Sequence, residues 1–148
     1  MPWEYSATIA ATAAAVIACV MLHYEGLRLL NRSLPLPYEK HRARVVLLIL
    51  GLISLHIMEI WIFGAGYFLL LGSGDYGTLE GSDAMSLLDC VYFSATVFST
   101  LGFGDITPKG AIRFMTGTEA IAGLTLITWS ASYTFLFMQK IWKFDEHE

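Results

Sequence analysis

The clearest candidate for chemistry in this chain is a six-residue glycine-rich stretch, TLGFGD at 100–105. Gly102 and Gly104 permit positive φ angles, which let successive backbone carbonyls point the same way. The hydroxyl of Thr100 would add one more oxygen at one end. Oxygen ligands alone suit a hard cation better than a transition metal. The pattern by itself is ambiguous, because glycine–aromatic–glycine followed by an aspartate such as Asp105 also occurs in ordinary turns.

The composition places this stretch in a membrane protein. Of the 148 residues, 55% are hydrophobic and 15% are charged, and the mean hydropathy is +0.57. An average globular domain carries roughly a quarter charged residues. The net charge of −4 and the lack of a basic run argue against a nucleic-acid partner. Cys19 and Cys90 stand far apart in apolar runs, which favours two buried thiols over a disulfide or a metal pair.

Three apolar stretches, 6–22, 45–71 and 114–138, approach or exceed the length that a bilayer-crossing helix needs, about 20 residues. A shorter apolar segment at 85–100 contains a charge and several hydroxyls. It is therefore predicted to be a re-entrant helix and not a fourth crossing. The sequence thus predicts an all-α membrane protein with three transmembrane helices, one re-entrant helix and the TLGFGD loop.

Basic residues predict how these helices are oriented. Five of them follow the first stretch, which places the linker at 31–44 in the cytoplasm; they are Arg28, Arg32, Lys40, Arg42 and Arg44. The N-terminus is then outside and the C-terminus inside. The segment between the second and third stretches is external and acidic, which would raise the local concentration of cations. A cleaved signal peptide is the competing interpretation of the first stretch, but a signal peptide begins with a basic segment, and this chain begins MPWEYS.

In this setting TLGFGD resembles the potassium-channel signature, usually written T-V-G-Y-G-D. The surrounding YFSATVFSTLGFGDITP is similar to the pore regions of two-pore-domain channels and of small bacterial potassium channels of the ion-transport-2 type. The resemblance implies a pore module at 45–143. Outside this module, the first stretch is expected to form a peripheral transmembrane helix at 1–30, and residues 144–148 to form a cytoplasmic tail. Within the module it implies an outer helix at 45–71, a pore helix at 85–99, a selectivity filter at 100–105 and an inner helix at 111–140.

The resemblance also implies the ion ligands and the assembly. The Thr100 hydroxyl and four backbone carbonyls are expected to hold K⁺ in stacked sites, the carbonyls being those of Thr100, Leu101, Gly102 and Phe103. One module per chain implies a homotetramer in a lipid bilayer, with no cofactor beyond the K⁺ ions. Leu101 is bulkier than the usual valine, and Phe103 lacks the hydroxyl of the usual tyrosine. Selectivity is expected to survive both changes, and the stability of the filter is the property that they are expected to affect.

Hydroxyl groups mark the expected wall of the pore. Ser99 directly precedes the filter and is expected to face a central cavity. On the third stretch, four residues recur at helical spacing on one face, and this face matches the pore-lining face of inner helices in the family: Thr125, Thr128, Ser132 and Leu136. The alternative is that these hydroxyls bond across helices without touching water.

Two acidic residues, Glu59 and Glu119, lie inside the predicted spans, where a charge costs roughly 2.5–3.5 kcal/mol on insertion scales. His56 stands three residues before Glu59, on the same helix face. Three interpretations remain open for these residues: a structural hydrogen-bond cluster with the pore helix, a pH-sensitive gating element, or a metal site. Histidine changes its charge near neutral pH, so the gating hypothesis is that protonation of the cluster alters opening.

Together these patterns predict a passive potassium-selective channel in the cell membrane. Two rivals remain, namely a less selective channel that also passes sodium, and a non-conducting membrane subunit or scaffold. An enzyme is not predicted, because the sequence has no nucleophile–base pair and no metal-ligand spacing beyond His56 and Glu59.

Overall fold

A computed structural model describes residues 3–33, 41–81 and 86–145. The elements in these residues are helices α1 (Trp3–Ser33), α2 (His41–Gly72), α3 (Leu87–Phe98) and α4 (Ile112–Asp145), and strands β1 (Thr78–Glu80) and β2 (Thr107–Lys109). By length and apolar composition, α1, α2 and α4 can each cross a membrane, whereas α3 is a shorter apolar helix. The prediction of a mainly helical membrane protein with three spanning helices and one short helix is confirmed.

The long helices extend beyond the apolar stretches from which they were predicted. α1 continues to Ser33 and α2 begins at His41, so both ends of the basic segment predicted as a linker at 31–44 are helical. Residues 34–40 of that segment lie outside the described residues. The extension has a simple cause, since arginine is a good helix former and a helix need not end where its apolar face ends.

α3 begins at a capping box, which explains why it starts two residues later than predicted. Ser86 Oγ accepts a hydrogen bond from the backbone N–H of Asp89 at 3.1 Å, and Asp89 Oδ2 accepts one from the Ser86 N–H at 2.8 Å. This reciprocal pair satisfies two donors that the first turn of a helix leaves free. The helix covers 87–98 within the predicted 85–99, and α4 covers 112–145 where 111–140 was predicted.

The main apolar core lies where α2, α3 and α4 meet. Phe63 and Tyr67 of α2 are fully buried beside Phe93 of α3 and Met115 of α4. The rings of Tyr67 and Phe93 pack edge to face, with centroids 5.2 Å apart, an arrangement that aromatic pairs favour. The short helix is thus held on two sides by spanning helices, and these contacts fix its position and that of the loop that follows it.

Helix α1 packs against both α2 and α4, whereas the sequence suggested a peripheral position beside the second span. Ala15 and Cys19 of α1 belong to the main core. Nearer its C-terminal end, Leu27 packs with Leu48 and Leu52 of α2 in a second apolar cluster. α1 is therefore a part of the bundle and contributes buried side chains to it.

The two strands connect the segment that precedes α3 to the segment that follows the TLGFGD loop. They pair antiparallel, with Leu79 opposite Pro108. Gly81 ends the first strand with φ 113°, and a Cβ there would stand 1.9 Å from the backbone oxygen of Asp105. Only glycine fits this approach. The strands therefore hold the entrance to α3 and the exit of the loop side by side.

Candidate functional site

The loop at residues 100–105, called the glycine loop below, has an alternating backbone. The φ angle is positive at Thr100 (61°), Gly102 (55°) and Gly104 (79°), and is not positive at Leu101 or Phe103. Alternation between left- and right-handed residues turns N–H groups to one side and carbonyls to the other. The sequence predicted this role for the two glycines and missed Thr100. A β-branched residue with positive φ is an outlier, and such outliers cluster at functional sites.

A backbone hydrogen bond sets the direction of one carbonyl of the loop. The N–H of Gly102 donates to the backbone oxygen of Thr96 in α3 at 3.1 Å. In a trans peptide the C=O points opposite to the N–H, so the carbonyl of Leu101 points away from α3. Within the described part of the chain, no hydrogen bond ends on a carbonyl oxygen of residues 100–103. These oxygens are available to a ligand.

The C-terminal end of the glycine loop is tied to α3 through side chains. The Tyr92 hydroxyl donates to Asp105 Oδ2 at 2.7 Å, and the N–H of Ile106 donates to Asp105 Oδ1 at 3.1 Å. The hydrogen bond to the carboxylate raises the pKa of the Tyr92 phenol above its usual value. Leu101 and Phe103, by contrast, are 65% and 67% exposed in the single chain. The loop is therefore anchored by its backbone and by Asp105, while its two apolar side chains have few contacts within the chain.

A buried polar network joins the three helices that surround the core. The fully buried carboxylate of Glu119 on α4 accepts hydrogen bonds from the hydroxyls of Tyr67 on α2 and Ser94 on α3. The Ser94 hydroxyl also lies 2.9 Å from the backbone oxygen of Ile60. Glu119 therefore links α3, the helix that precedes the glycine loop, to the spanning helices α2 and α4.

A second buried cluster surrounds Glu59. The Nδ1 atom of His56 lies 2.8 Å from Glu59 Oε2, and the Nδ1 atom of His23 lies 2.8 Å from Glu59 Oε1. On the far side of its ring, His23 Nε2 is 3.4 Å from Ser130 Oγ on α4. This cluster, defined by His23, His56 and Glu59 and called the His–Glu cluster below, links α1 to α2 and touches α4.

The predicted group of His56, Glu59 and Glu119 is thus divided in the structure. His56 and Glu59 meet, but Glu119 hydrogen-bonds to Tyr67 and Ser94 instead. His23 takes the place expected for Glu119 and was missed by sequence reasoning. Its only signal in the sequence was a polar residue directly after the apolar stretch 6–22, because the partner to which it bonds lies 36 residues away in sequence.

The predicted lining residues of α4 share an exposed face in the single chain: Thr125, Thr128, Ser132 and Leu136. The hydroxyls of the first three donate to carbonyls of their own helix at 2.8–2.9 Å, and none of them bonds to another described helix. Ser99 is half-buried and donates to the Ala95 oxygen at 2.6 Å. This face of α4 is therefore not used for packing within the chain.

Comparison with known proteins supplies the remaining observations. A family model described as "Ion channel" matches residues 45–140, from α2 through most of α4. The "Uncharacterized membrane protein YdjJ" of Bacillus subtilis (strain 168) is 36% identical over 81 residues, which cover 51% of this chain and 24% of that protein. The "Potassium channel protein kcv" of Paramecium bursaria Chlorella virus 1 is 29% identical over 68 residues, covering 46% of this chain and 67% of that protein. The match therefore spans only about a quarter of the Bacillus protein. No solved structure matches the chain.

Proposed function

The chain belongs to the Ion channel family, and from that premise we propose that it is a passive, potassium-selective channel. The observation that carries the proposal is the glycine loop, in which φ alternates in sign and the carbonyl oxygens of 100–103 have no hydrogen-bond partner among the described residues. A conducted K⁺ ion must exchange its hydration shell for a set of oxygen ligands. Similarity to a viral protein named as a potassium channel supports K⁺ over other cations.

In the proposed mechanism the glycine loop is the selectivity filter. The Thr100 hydroxyl and the loop carbonyls replace water around the ion, and several weak sites in series allow the ion to leave as well as to enter. The C-terminal end of α3 carries a partial negative charge that would stabilise a cation just before the filter. Exposed acidic groups near the other end, among them Asp75, Glu80 and Asp105, would raise the local cation concentration there.

A complete ring of filter loops requires four loops, and each chain has one, so the proposed assembly is a homotetramer. The exposed face of α4 that contains Thr125, Thr128, Ser132 and Leu136 would then line the central path below the filter. The donors on this face are satisfied by their own helix, which leaves oxygen lone pairs for water and ions. The proposed orientation has the N-terminus outside and the C-terminus in the cytoplasm, in keeping with basic residues at the α1–α2 connection.

Liposomes that contain only this chain test the proposal. With potassium inside and sodium outside, the reversal potential is expected near the potassium equilibrium potential, and barium is expected to block the current. Equal passage of sodium would contradict potassium selectivity and favour the weakly selective channel. Absence of flux from tetrameric, folded protein would favour a non-conducting subunit.

A pair of glycine variants makes this test specific for the filter. Gly102 has φ 55°, and a Cβ there would meet nothing within 4 Å, so Gly102→Ala disturbs the backbone conformation and not the packing. It is expected to abolish flux while the protein still folds. Gly117 of α4 is equally unobstructed and has no positive φ, so Gly117→Ala is expected to conduct like the original chain. Full flux through Gly102→Ala would contradict the assignment of the filter.

A further inference from the structure

We propose that the His–Glu cluster is a binding site for one divalent transition-metal ion of the class of Zn²⁺, and that the ion fastens α1 to α2. Each member of the cluster offers one ligand atom, and these atoms all lie within 4.8 Å of one another. The two imidazole Nδ1 atoms face different oxygens of the same carboxylate. The three side chains therefore converge on one small volume from two separate helices.

The distances are close to those of a metal site. Each Nδ1 atom is 2.8 Å from its carboxylate oxygen, which is a hydrogen-bond distance. A tetrahedral zinc ion with bonds of about 2.0–2.1 Å holds neighbouring ligand atoms roughly 3.3 Å apart. Each nitrogen therefore has to move roughly half an ångström away from its carboxylate oxygen to admit the ion.

The donor set selects the class of ion. Two imidazoles with one carboxylate are a common protein ligand set for zinc, with a fourth position left for water. Imidazole nitrogen suits zinc, copper, iron and nickel, whereas calcium and magnesium prefer oxygen ligands only. The His–Glu cluster is thus chemically distinct from the oxygen-only ligands of the glycine loop, and ions that bind at one are not expected to compete at the other.

A partner on α4 supports the orientation of one ligand. When a metal occupies Nδ1 of a neutral histidine, the ring proton resides on Nε2 and needs an acceptor, which orients the ring. In His23 the Nε2 atom lies 3.4 Å from Ser130 Oγ. Ser130 is itself buried, so this contact ties the proposed metal ligand to α4.

The burial of the His–Glu cluster explains why a bound cation would be energetically favourable. Glu59 and His23 have no exposed side-chain surface, and His56 retains 18%. An ionised carboxylate inside a spanning segment is costly unless a partner offsets its charge, and a divalent cation provides that charge directly. Of the three ligand side chains, only His56 keeps exposed surface in the single chain. Because α1 lies outside the family-matched residues 45–140, the ion would attach an additional helix to the channel module.

Metal binding by the purified full chain tests the proposal. Protein stripped with a chelator is titrated with Co²⁺, whose visible absorption reports four-coordinate binding, and then with Zn²⁺, which displaces it. Elemental mass spectrometry is expected to find one zinc ion per chain. His23→Asn and His56→Asn place an amide near the original Nδ1 position, so they can keep a hydrogen bond to Glu59 but are poor metal ligands. Each is expected to weaken Co²⁺ binding by roughly tenfold or more.

His41 offers the matched control, because it lies on the same helix 15 residues before His56, about 22 Å along the axis. His41→Asn is expected to leave Co²⁺ affinity unchanged. Two results would overturn the proposal: unaltered binding by the double variant His23→Asn/His56→Asn, or no binding by folded original protein. The second result would mean that hydrogen bonds alone hold the cluster together. Neither measurement depends on conduction, so failure here is separate from failure of the proposed channel function.

Discussion

Gly123 of α4 lies directly against the carbonyl group of Phe98, the last residue of α3. A Cβ atom at position 123 would stand 2.2 Å from the Phe98 oxygen and 2.9 Å from its Cα. Both neighbours are backbone atoms, which cannot rotate away as a side chain can. This contact determines how closely the end of α3, and with it the start of the glycine loop, approaches the spanning helix.

Gly123→Ala is therefore expected to separate α3 from α4 and to displace the glycine loop. Overpacking of this kind costs about 1–3 kcal/mol, so thermal unfolding in detergent should occur at a lower temperature, and potassium flux in liposomes should fall. Gly117→Ala on the same helix is the control, since a Cβ there meets nothing within 4 Å. An unfolding temperature for Gly123→Ala equal to that of the original protein would show that α3 and α4 are not in close contact here.

The shared acceptor Glu119 predicts that Tyr67 and Ser94 act together. Tyr67→Phe and Ser94→Ala each remove one hydroxyl that donates to this carboxylate. Each is expected to destabilise the protein by about 0.6 kcal/mol, the average found for hydrogen bonds between membrane helices, and by no more than about 1.7 kcal/mol. The double variant should depart from the sum of the two, because residues in one network couple. Strict additivity would mean that the two hydroxyls act independently.

Thr118 provides the control for this cycle. Its hydroxyl donates to the Phe114 oxygen of its own helix at 2.9 Å, and among the described residues no hydrogen bond joins it to the Glu119 carboxylate. Thr118→Ala is expected to change the free energy of unfolding by no more than about 0.5 kcal/mol.

Tyr92 is expected to ionise at higher pH than a free tyrosine. Its hydrogen bond to Asp105, followed by partial desolvation and by the charge of that carboxylate, raises the pKa of the phenol. Because the pKa is higher in the folded than in the unfolded chain, the bond contributes fully below the usual tyrosine pKa of about 10. That contribution is lost as pH rises through the folded value. The difference between alkaline absorbance titrations of the original chain and of Tyr92→Phe isolates this group, and a midpoint at or below that of free tyrosine would contradict the bond.

Phe103→Tyr restores the tyrosine of the family signature and tests whether its absence matters for selectivity. The Phe103 ring is 67% exposed in the single chain, and the proposed ligands are backbone carbonyls. The ratio of potassium to sodium permeability is therefore expected to stay the same, while the added hydroxyl can stabilise the surroundings of the proposed filter. Reversal potentials in opposing gradients measure the ratio, and a large change would show that the ring takes part in selection.

The broad architecture of this protein could be predicted because it depends on local properties of the chain. Apolar length predicts three spanning helices, and the shorter apolar run at 85–100, with its charge and hydroxyls, predicts the short helix. The positions of Gly102 and Gly104 likewise predicted where the backbone takes positive φ. These inferences need only composition and residue type at one place in the sequence.

The side-chain networks could not be predicted in the same way. Whether Glu119 meets His56 or Ser94 depends on the rotation and depth of three helices, and a change of one residue turns a helix face by about 100°. His23, 36 residues from its partner Glu59, gave no local sign of that contact. Similarly, the residue type at position 100 did not predict its positive φ, which occurs where the N–H groups of Thr100 and Gly102 donate to carbonyls in the last turn of α3.

The sequence by itself thus determined that the chain crosses the membrane, that it has one glycine loop with channel-like residues, and that polar groups lie within its spans. Only the tertiary structure decided which of those polar groups meet. It paired Glu119 with Tyr67 and Ser94, and Glu59 with both histidines. The physical reason lies in what each feature depends on. Crossing a membrane depends on the summed transfer of many side chains from water, whereas a buried hydrogen bond depends on the positions of single atoms. Close contacts between helices, such as Gly123 against Phe98, set those positions.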